Sequence, residues 1–255
     1  MAGRSAIGRD AILQPRFPGI MTIISANLQA VRARIAAAAK AAGRARESVR
    51  LLAVSKTWPA LSVREAASGG QLAFGESYLQ EALAKIDSLA GLGLEWHFIG
   101  PLQSNKTQGV AENFHWVHGV DRAKIAARLS AQRPAAMPPL QVCLQVNVSG
   151  EKSKSGVAPE QVEVLARIVA ALPGLQLRGL MTIPEAGADS TLLRSRFGTL
   201  RDLLVHLNSQ GMVLDTLSMG MSDDLEEAIA EGATIVRVGS AIFGERPKHE
   251  LKGAS

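Results

Sequence analysis

A chain of 255 residues with a formal charge of +5, 47% apolar and 20% charged side chains is composed like a folded soluble domain, which excludes a largely disordered or fibrous protein. A net +2 lies in the first twenty residues and a net +1 in the last eleven, so the body of the chain has no basic stripe and no interleaving of cations with aromatics suited to nucleic acid. No stretch reaches the ~20 apolar residues of a membrane-spanning helix, and the single cysteine, Cys143, sits in an apolar run where it reads as a small hydrophobe; the expectation is a cytoplasmic protein with no membrane or nucleic-acid partner.

Residues 1–22 are broken by Gly3, Gly8, Pro15, Pro18 and Gly19, offer no apolar segment of secretory type, and read as a flexible extension. Leu28, Val31, Ile35 and Ala38 then recur at spacings of three and four, which predicts an amphipathic helix over 25–42, ended by Gly43. Beyond it, short apolar runs alternate with helix-like segments. Strands are expected over 50–55, 72–75, 96–99, 116–117, 140–148, 175–180, 214–217 and 234–238. Helices are expected over 61–68, 78–89, 103–112, 122–131, 160–172, 192–203 and its continuation, and 223–231. Continuous apolar runs alternating with helices are the mark of buried parallel strands, and eight such units fit a (β/α)8 TIM barrel with an extra N-terminal helix. The alternative, an open doubly wound sheet, would usually carry a glycine fingerprint after its first strand, where this chain has Ser55-Lys56-Thr57-Trp58. The barrel is expected to span residues 23–246, with 247–255 as a tail.

In such a barrel, chemistry sits at the carboxyl ends of the strands. The candidates there are Lys56, Glu76, Ser77, Gly100, Asn147, Met181, Thr182, residues 218–222, Gly239 and Ser240. Lys56 directly follows the apolar run 51–55, which points its amine into the barrel mouth as a nucleophile for an aldehyde or leaves it an ordinary lysine reaching for solvent. Loops after the seventh and eighth strands commonly bind phosphate. Here they offer Gly220 and Gly239 for close backbone approach and the hydroxyls of Ser218, Ser222 and Ser240 as donors. Asp223 and Asp224 argue against an anion there unless both point away, and the plainer reading makes Ser222 a helix cap. Arg237 lies between apolar strand residues, where a guanidinium needs a partner, either a buried carboxylate or the ring nitrogen of a cofactor. His97 reads as structural, and His115 and His118 flank a weak fourth strand without metal-ligand spacing, so no metal site is expected.

The motifs Ala53-Val54-Ser55-Lys56, Phe74-Gly75-Glu76-Ser77-Tyr78, His97-Phe98-Ile99-Gly100-Pro101, Gln145-Val146-Asn147-Val148, Ser153-Lys154-Ser155-Gly156 and Gly179-Leu180-Met181-Thr182-Ile183-Pro184, with residues 218–224 and 237–244, occur in order along the chain. In these the chain resembles the YggS/PROSC family of pyridoxal phosphate (PLP) homeostasis proteins. The resemblance implies a barrel of the alanine racemase N-terminal-domain type that holds PLP as a Schiff base on Lys56. It implies that Ser218, Met219, Met221, Ser222, Gly239 and Ser240 surround the phosphate, that Arg237 faces the pyridine nitrogen, and that Asn147 and Met181 line the ring. Ser77 departs from the family's usual asparagine. The implied function is PLP homeostasis without turnover: a monomer, or at most a weak dimer, that buffers, carries or delivers the cofactor to PLP-dependent apoenzymes. The alternative is a PLP-dependent amino-acid racemase. A two-base racemase needs an acid or base on the ring face opposite the lysine, and the one tyrosine, Tyr78, falls at the start of a helix.

Overall fold

The structure, a computed structural model, describes residues 22–151 and 154–245. Apart from Thr22, the extension expected over 1–22 lies outside these residues, as does the tail expected over 247–255. Eight parallel strands close into a barrel in sequence order: β1 Arg50–Val54, β2 Ala73–Glu76, β3 Glu95–Phe98, β4 Trp116–Val120, β5 Leu140–Gln145, β6 Leu175–Met181, β7 Thr216–Ser218 and β8 Ile235–Val238. The helices are α1 Ile23–Ala41, α2 Ala60–Ser68, α3 Leu79–Ser88, α4 Thr107–Asn113, α5 Ala123–Gln132, α6 Val162–Ala170, α7 Ser190–Ser209, α8 Leu225–Ala230 and α9 Ser240–Phe243. No helix among the described residues is long and apolar enough to cross a membrane.

The expected barrel is therefore present, and its strands differ in extent most at β4 and β5. β4 runs on through His118, Gly119 and Val120, all buried, because an inward imidazole and a glycine continue a ladder without any apolar signal in the sequence. β5 stops at Gln145, and Val146 adds only an isolated bridge to Val157.

Thr22 caps α1 by accepting from the Ser25 N–H at 3.2 Å, and Leu28, Val31, Ile35 and Ala39 bury one face of the helix. α1 packs against α8 and α9. Asn27 donates to the Ile242 carbonyl at 3.0 Å, and Arg34 pairs with Glu226 and donates to the Ser222 carbonyl at 3.1 Å. The extra helix thus braces the loops that follow β7 and β8.

Most of the core lies between sheet and helices, whereas a small cluster of Leu52, Ala73, Trp116, Cys143, Met181 and Ile235 fills part of the barrel interior. Burial pushes the Cys143 thiol up to about 12, so it stays a neutral apolar filler. The rest of the interior is polar. His97 and His118 are wholly buried, with Nδ1 of the first 2.9 Å from Nε2 of the second, and the His97 ring stacks on Trp116. Arg50 and Glu95 close the amino-terminal end with a 2.6 Å ion pair.

Desolvation lowers His97 to about 4 and His118 well below its ordinary value. An unfolded histidine takes up its proton below ~6.5, so between that pH and about 4 the unfolded chain binds protons that the folded chain refuses. Stability contributed by the pair is then full above ~6.5 and declines with acidification, by up to ~1.4 kcal/mol per pH unit for each ring. The urea midpoint of the native protein should accordingly fall more steeply between pH 6.5 and 5 than that of a His118→Gln variant. Equal slopes would show that the ring keeps its ordinary proton affinity in the fold.

Candidate functional site

β1 delivers its chain into a tight turn at Ser55-Lys56-Thr57-Trp58, where the Trp58 N–H donates to the Ser55 carbonyl at 3.1 Å. Thr57 has φ of +71°, the one positive value outside glycine among the described residues. A β-branched side chain there is strained by ~1–3 kcal/mol and persists only where its surroundings dictate it. They do so through α3. Lys85, 4% exposed, donates all three ammonium hydrogens: to the Ser55 carbonyl at 2.7 Å, to Glu76 at 2.8 Å and to Glu81 at 2.6 Å. Glu81 also accepts from the Thr57 N–H at 2.6 Å, and Glu76 accepts from the Ser55 hydroxyl at 2.6 Å. Burial raises the Glu76 carboxyl and the Lys85 charge opposes that rise. Glu76 is fully buried beneath the turn, outside the barrel mouth, so its contribution is to hold the segment that carries Lys56.

Lys56 lines a cavity of about 280 Å³ at the carboxyl ends of the strands, near the lower end of the ~300–1,000 Å³ range of small-molecule sites. Val54 of β1 and Trp58 and Ser77 from the turns after β1 and β2 share its wall, Ile99 and Ile183 close it with apolar surface, and Arg237 of β8 completes it with Met221, Ser222, Asp223, Gly239 and Ser240 from the residues after β7 and β8. A roomier depression of about 460 Å³ lies among Arg32, Arg46 and Gln71, beside the amino-terminal ends of β1 and β2 and away from these groups.

The β7 loop is shaped by packing. Gly220 has φ of +93°, and a Cβ there would stand 2.6 Å from the Ala228 methyl, so only glycine lets the loop lie on α8. Asp224 turns into the loop and accepts from the Met221 N–H at 2.5 Å, while Asp223 lines the cavity. Asp224 thus turns its carboxylate onto a loop amide, so one amide of the expected cradle is already engaged. Ser222 caps no helix with its hydroxyl; it lies 3.1 Å from the Ser240 hydroxyl at the cavity wall. Gly239 has an ordinary negative φ, and its constraint is proximity: a Cβ would meet the Val54 carbonyl at 3.1 Å.

Arg237 is 4% exposed, and burial lowers it to about 10, still well above neutrality. Its partners are the Ser218 carbonyl at 2.5 Å, the Ser218 hydroxyl at 2.8 Å and the Thr182 carbonyl at 2.8 Å, so the carboxylate partner considered from sequence is replaced by neutral acceptors.

Lys56, Met221, Ser222, Arg237, Gly239 and Ser240 thus converge on one cavity. Ser218 and Met219 are fully buried behind it, Met181 belongs to the interior cluster, and none of the three lines it. Asn147 commits its amide to its own loop, donating to the Glu151 carbonyl at 2.8 Å and accepting from the Gly150 N–H at 3.1 Å. Sequence reasoning missed the wall formed by Trp58, whose ring stacks on Phe243 at 6.0 Å, and the Lys85 clamp. A signal existed for the clamp: Lys85 falls on the buried face of α3 with Leu79 and Ala82.

A closed parallel barrel with a lysine on the turn after β1 and an arginine in β8 defines a protein of the alanine racemase N-terminal-domain class, and the family described as "Alanine racemase, N-terminal domain" matches residues 26–247. The chain belongs to that family. Within it the chain is a member of the YggS/PROSC group: it is 62% identical over 226 residues to the pyridoxal phosphate homeostasis protein of Pseudomonas aeruginosa, covering 89% of this chain and 97% of that one. The structure of PipY of Synechococcus elongatus PCC7942 with PLP bound superposes with a TM-score of 0.78 at 37% identity, covering 87% of this chain and all of that one. Alanine racemase of Corynebacterium glutamicum shares the fold at 19% identity and a TM-score of 0.67, and this chain covers 63% of it.

The clamp under Lys56 gives a direct test. Lys85→Met leaves two carboxylates without their buried cation and should destabilise the fold by about 3–5 kcal/mol in urea unfolding. Adding Glu76→Gln should recover part of that loss, because the two residues act on one another.

Proposed function

We propose that the chain binds PLP through Lys56 in the β-barrel mouth and serves the homeostasis of that cofactor, holding it and delivering it to PLP-dependent apoenzymes. The observation that carries this reading is the convergence of Lys56 and Arg237 on one small cavity, with the Ser222 and Ser240 hydroxyls on the same wall. The residues fit the cofactor by donor type: an amine for its aldehyde, hydroxyls and close backbone for its phosphate, and a guanidinium for its ring nitrogen. When bound, PLP supplies an electrophilic aldehyde and a ring able to accept electrons.

What the chain's own residues do argues for holding rather than turnover. Arg237 keeps its proton at working pH, so it donates to the ring nitrogen without protonating it and leaves the ring a weak electron sink. Tyr78 is 53% exposed at the start of α3 and does not line the cavity, so it is not placed as the second base that racemisation requires. Delivery to apoenzymes, the monomeric state and action in the cytoplasm belong to the same reading.

Protein loaded with PLP should show a visible band that borohydride abolishes, with the label mapping to Lys56. Lys56→Ala should lose the band and keep the fold, and a labelled second lysine in that variant would reassign the attachment. Incubated with L-alanine, the loaded protein should form negligible D-alanine. Turnover at ordinary enzymatic rates would replace the homeostasis reading with a racemase.

A further inference from the structure

Behind Arg237 runs a file of polar groups that neither the cavity wall nor the Lys56 turn accounts for. Arg237 Nη1 lies 2.8 Å from the Ser218 hydroxyl, which lies 2.7 Å from His118 Nδ1. His118 Nε2 is 2.9 Å from His97 Nδ1, and His97 Nε2 is 2.9 Å from Glu95 Oε1. Glu95 in turn pairs with Arg50 at the far end of the barrel. Five elements of the chain meet in this line: β1, β3, β4, β7 and β8.

The two ends fix where every proton lies. Arg237 can only donate. Glu95, held well below the usual carboxylate range by His97 and Arg50 against the effect of burial, only accepts. The groups facing the two rings are Glu95 and His115, the cations Arg50 and Arg237, and the Trp116 ring stacked on His97. Wholly buried imidazoles among two arginines are neutral at neutral pH, so each carries one hydrogen. His97 must put its hydrogen on Nε2 toward Glu95. Its Nδ1 then accepts from His118 Nε2–H, whose Nδ1 accepts from the Ser218 hydroxyl, whose oxygen accepts from Arg237. Every bond points the same way, and bonds aligned in this manner polarise one another. Meanwhile both Nη1 hydrogens and one on Nη2 are spent on Ser218 and Thr182, so of the five guanidinium hydrogens the Nε–H and one Nη2–H remain for a ligand.

We propose that His97 and His118 are positioning residues for the cavity: with Ser218 and Glu95 they form a one-way hydrogen-bond chain across the barrel interior that fixes the orientation and donor pattern of Arg237 toward a bound pyridine ring. The proposal rests on the reading of the cavity as a PLP site for its ligand but not for its proton arrangement. The chain explains why two neutral histidines are kept where a barrel ordinarily packs branched apolar side chains.

Two measurements separate the chain from the cofactor reading. In the ligand-free protein, ring-nitrogen NMR of ¹⁵N-histidine should show His97 and His118 as neutral Nε2–H tautomers between pH 6 and 8. An Nδ1–H tautomer or an imidazolium on either ring overturns the chain, whatever the protein binds. In the PLP-loaded protein, His118→Phe should leave the borohydride-trapped label on Lys56 but weaken equilibrium binding about tenfold and displace the visible band and its pH profile. Glu95→Gln should move the spectrum in the same direction, and the double variant should add little, because both changes break one line. His118→Gln, which can offer a donor and an acceptor, should restore part of the native spectrum. Should His118→Phe fail to fold, Ser218→Ala cuts the same line with a smaller change. Native affinity and native spectrum in either folded variant overturn the positioning role. Loss of the Lys56 label from the native protein itself would instead sink the PLP reading, and the NMR result would still decide the chain.

Discussion

β1 and β8 pair in parallel, Arg50 with Ile235 through Ala53 with Val238, and the candidate site exists because of that seam. It sets Leu52 opposite Arg237, so the strand that leads into the Lys56 turn lies beside the strand that carries the guanidinium. It also presses Gly239 against the Val54 carbonyl, where no side chain fits without displacement. A doubly wound sheet made from the same eight runs would leave these two strands apart, with β1 inside the sheet and β8 away from it. Closure is therefore the constraint, and the cavity is its product.

Around the seam the fold spends polar groups where a barrel of this kind ordinarily places apolar ones. Glu76, Lys85, His97, His118, Ser218 and Arg237 are all buried and each is hydrogen-bonded to another buried group, although the second carboxylate oxygen of Glu76 has no partner. Such networks contribute little net stability against an apolar packing of equal volume, but they are costly to break in part. Their effect is to permit one arrangement. The Lys85 cluster fixes the strained Thr57 turn from behind, and the interior file fixes Arg237 from below, so the two groups facing each other across the cavity are each set by a separate network.

The eight strands were legible because a parallel strand buried on both faces is a short unbroken apolar run, and the helices because their apolar positions recur at three and four. Where polar side chains replace apolar ones inside the barrel, that signal fails. β4 was read as two residues because His118 and Gly119 interrupt it, and the same interruption hid the histidine pair. Arg237 was conspicuous for the opposite reason, as a charge among apolar neighbours. Lys56 stood out by abutting such a run, whereas Lys85, hidden in the middle of α3, was passed over although it lies on the buried face. That Asp224 turns into the β7 loop depends on a turn three residues long closing on the Met221 amide, which no periodicity encodes. Asn147 shows the converse: expected within a strand over 140–148, it lies beyond the end of β5 at Gln145, and its amide is consumed by a local loop.

α1 has a consequence for how the molecule comes into being on the ribosome. Its Asn27 holds the Ile242 carbonyl across 215 residues of chain, and Arg34 reaches the Ser222 carbonyl across 188. The first helix of the described residues is thus completed by their last elements. Lys56 leaves the exit tunnel early, yet the surfaces that would enclose a ligand around it arrive only with β7, β8 and α9. Although α2 covers part of α1 early, the part of its face that meets α8 and α9 stays uncovered until those elements are made, and contacts of such sequence separation form slowly. Because the cavity is completed by β7, β8 and the residues after them, a chain stopped before these elements displays its lysine without a pocket to go with it.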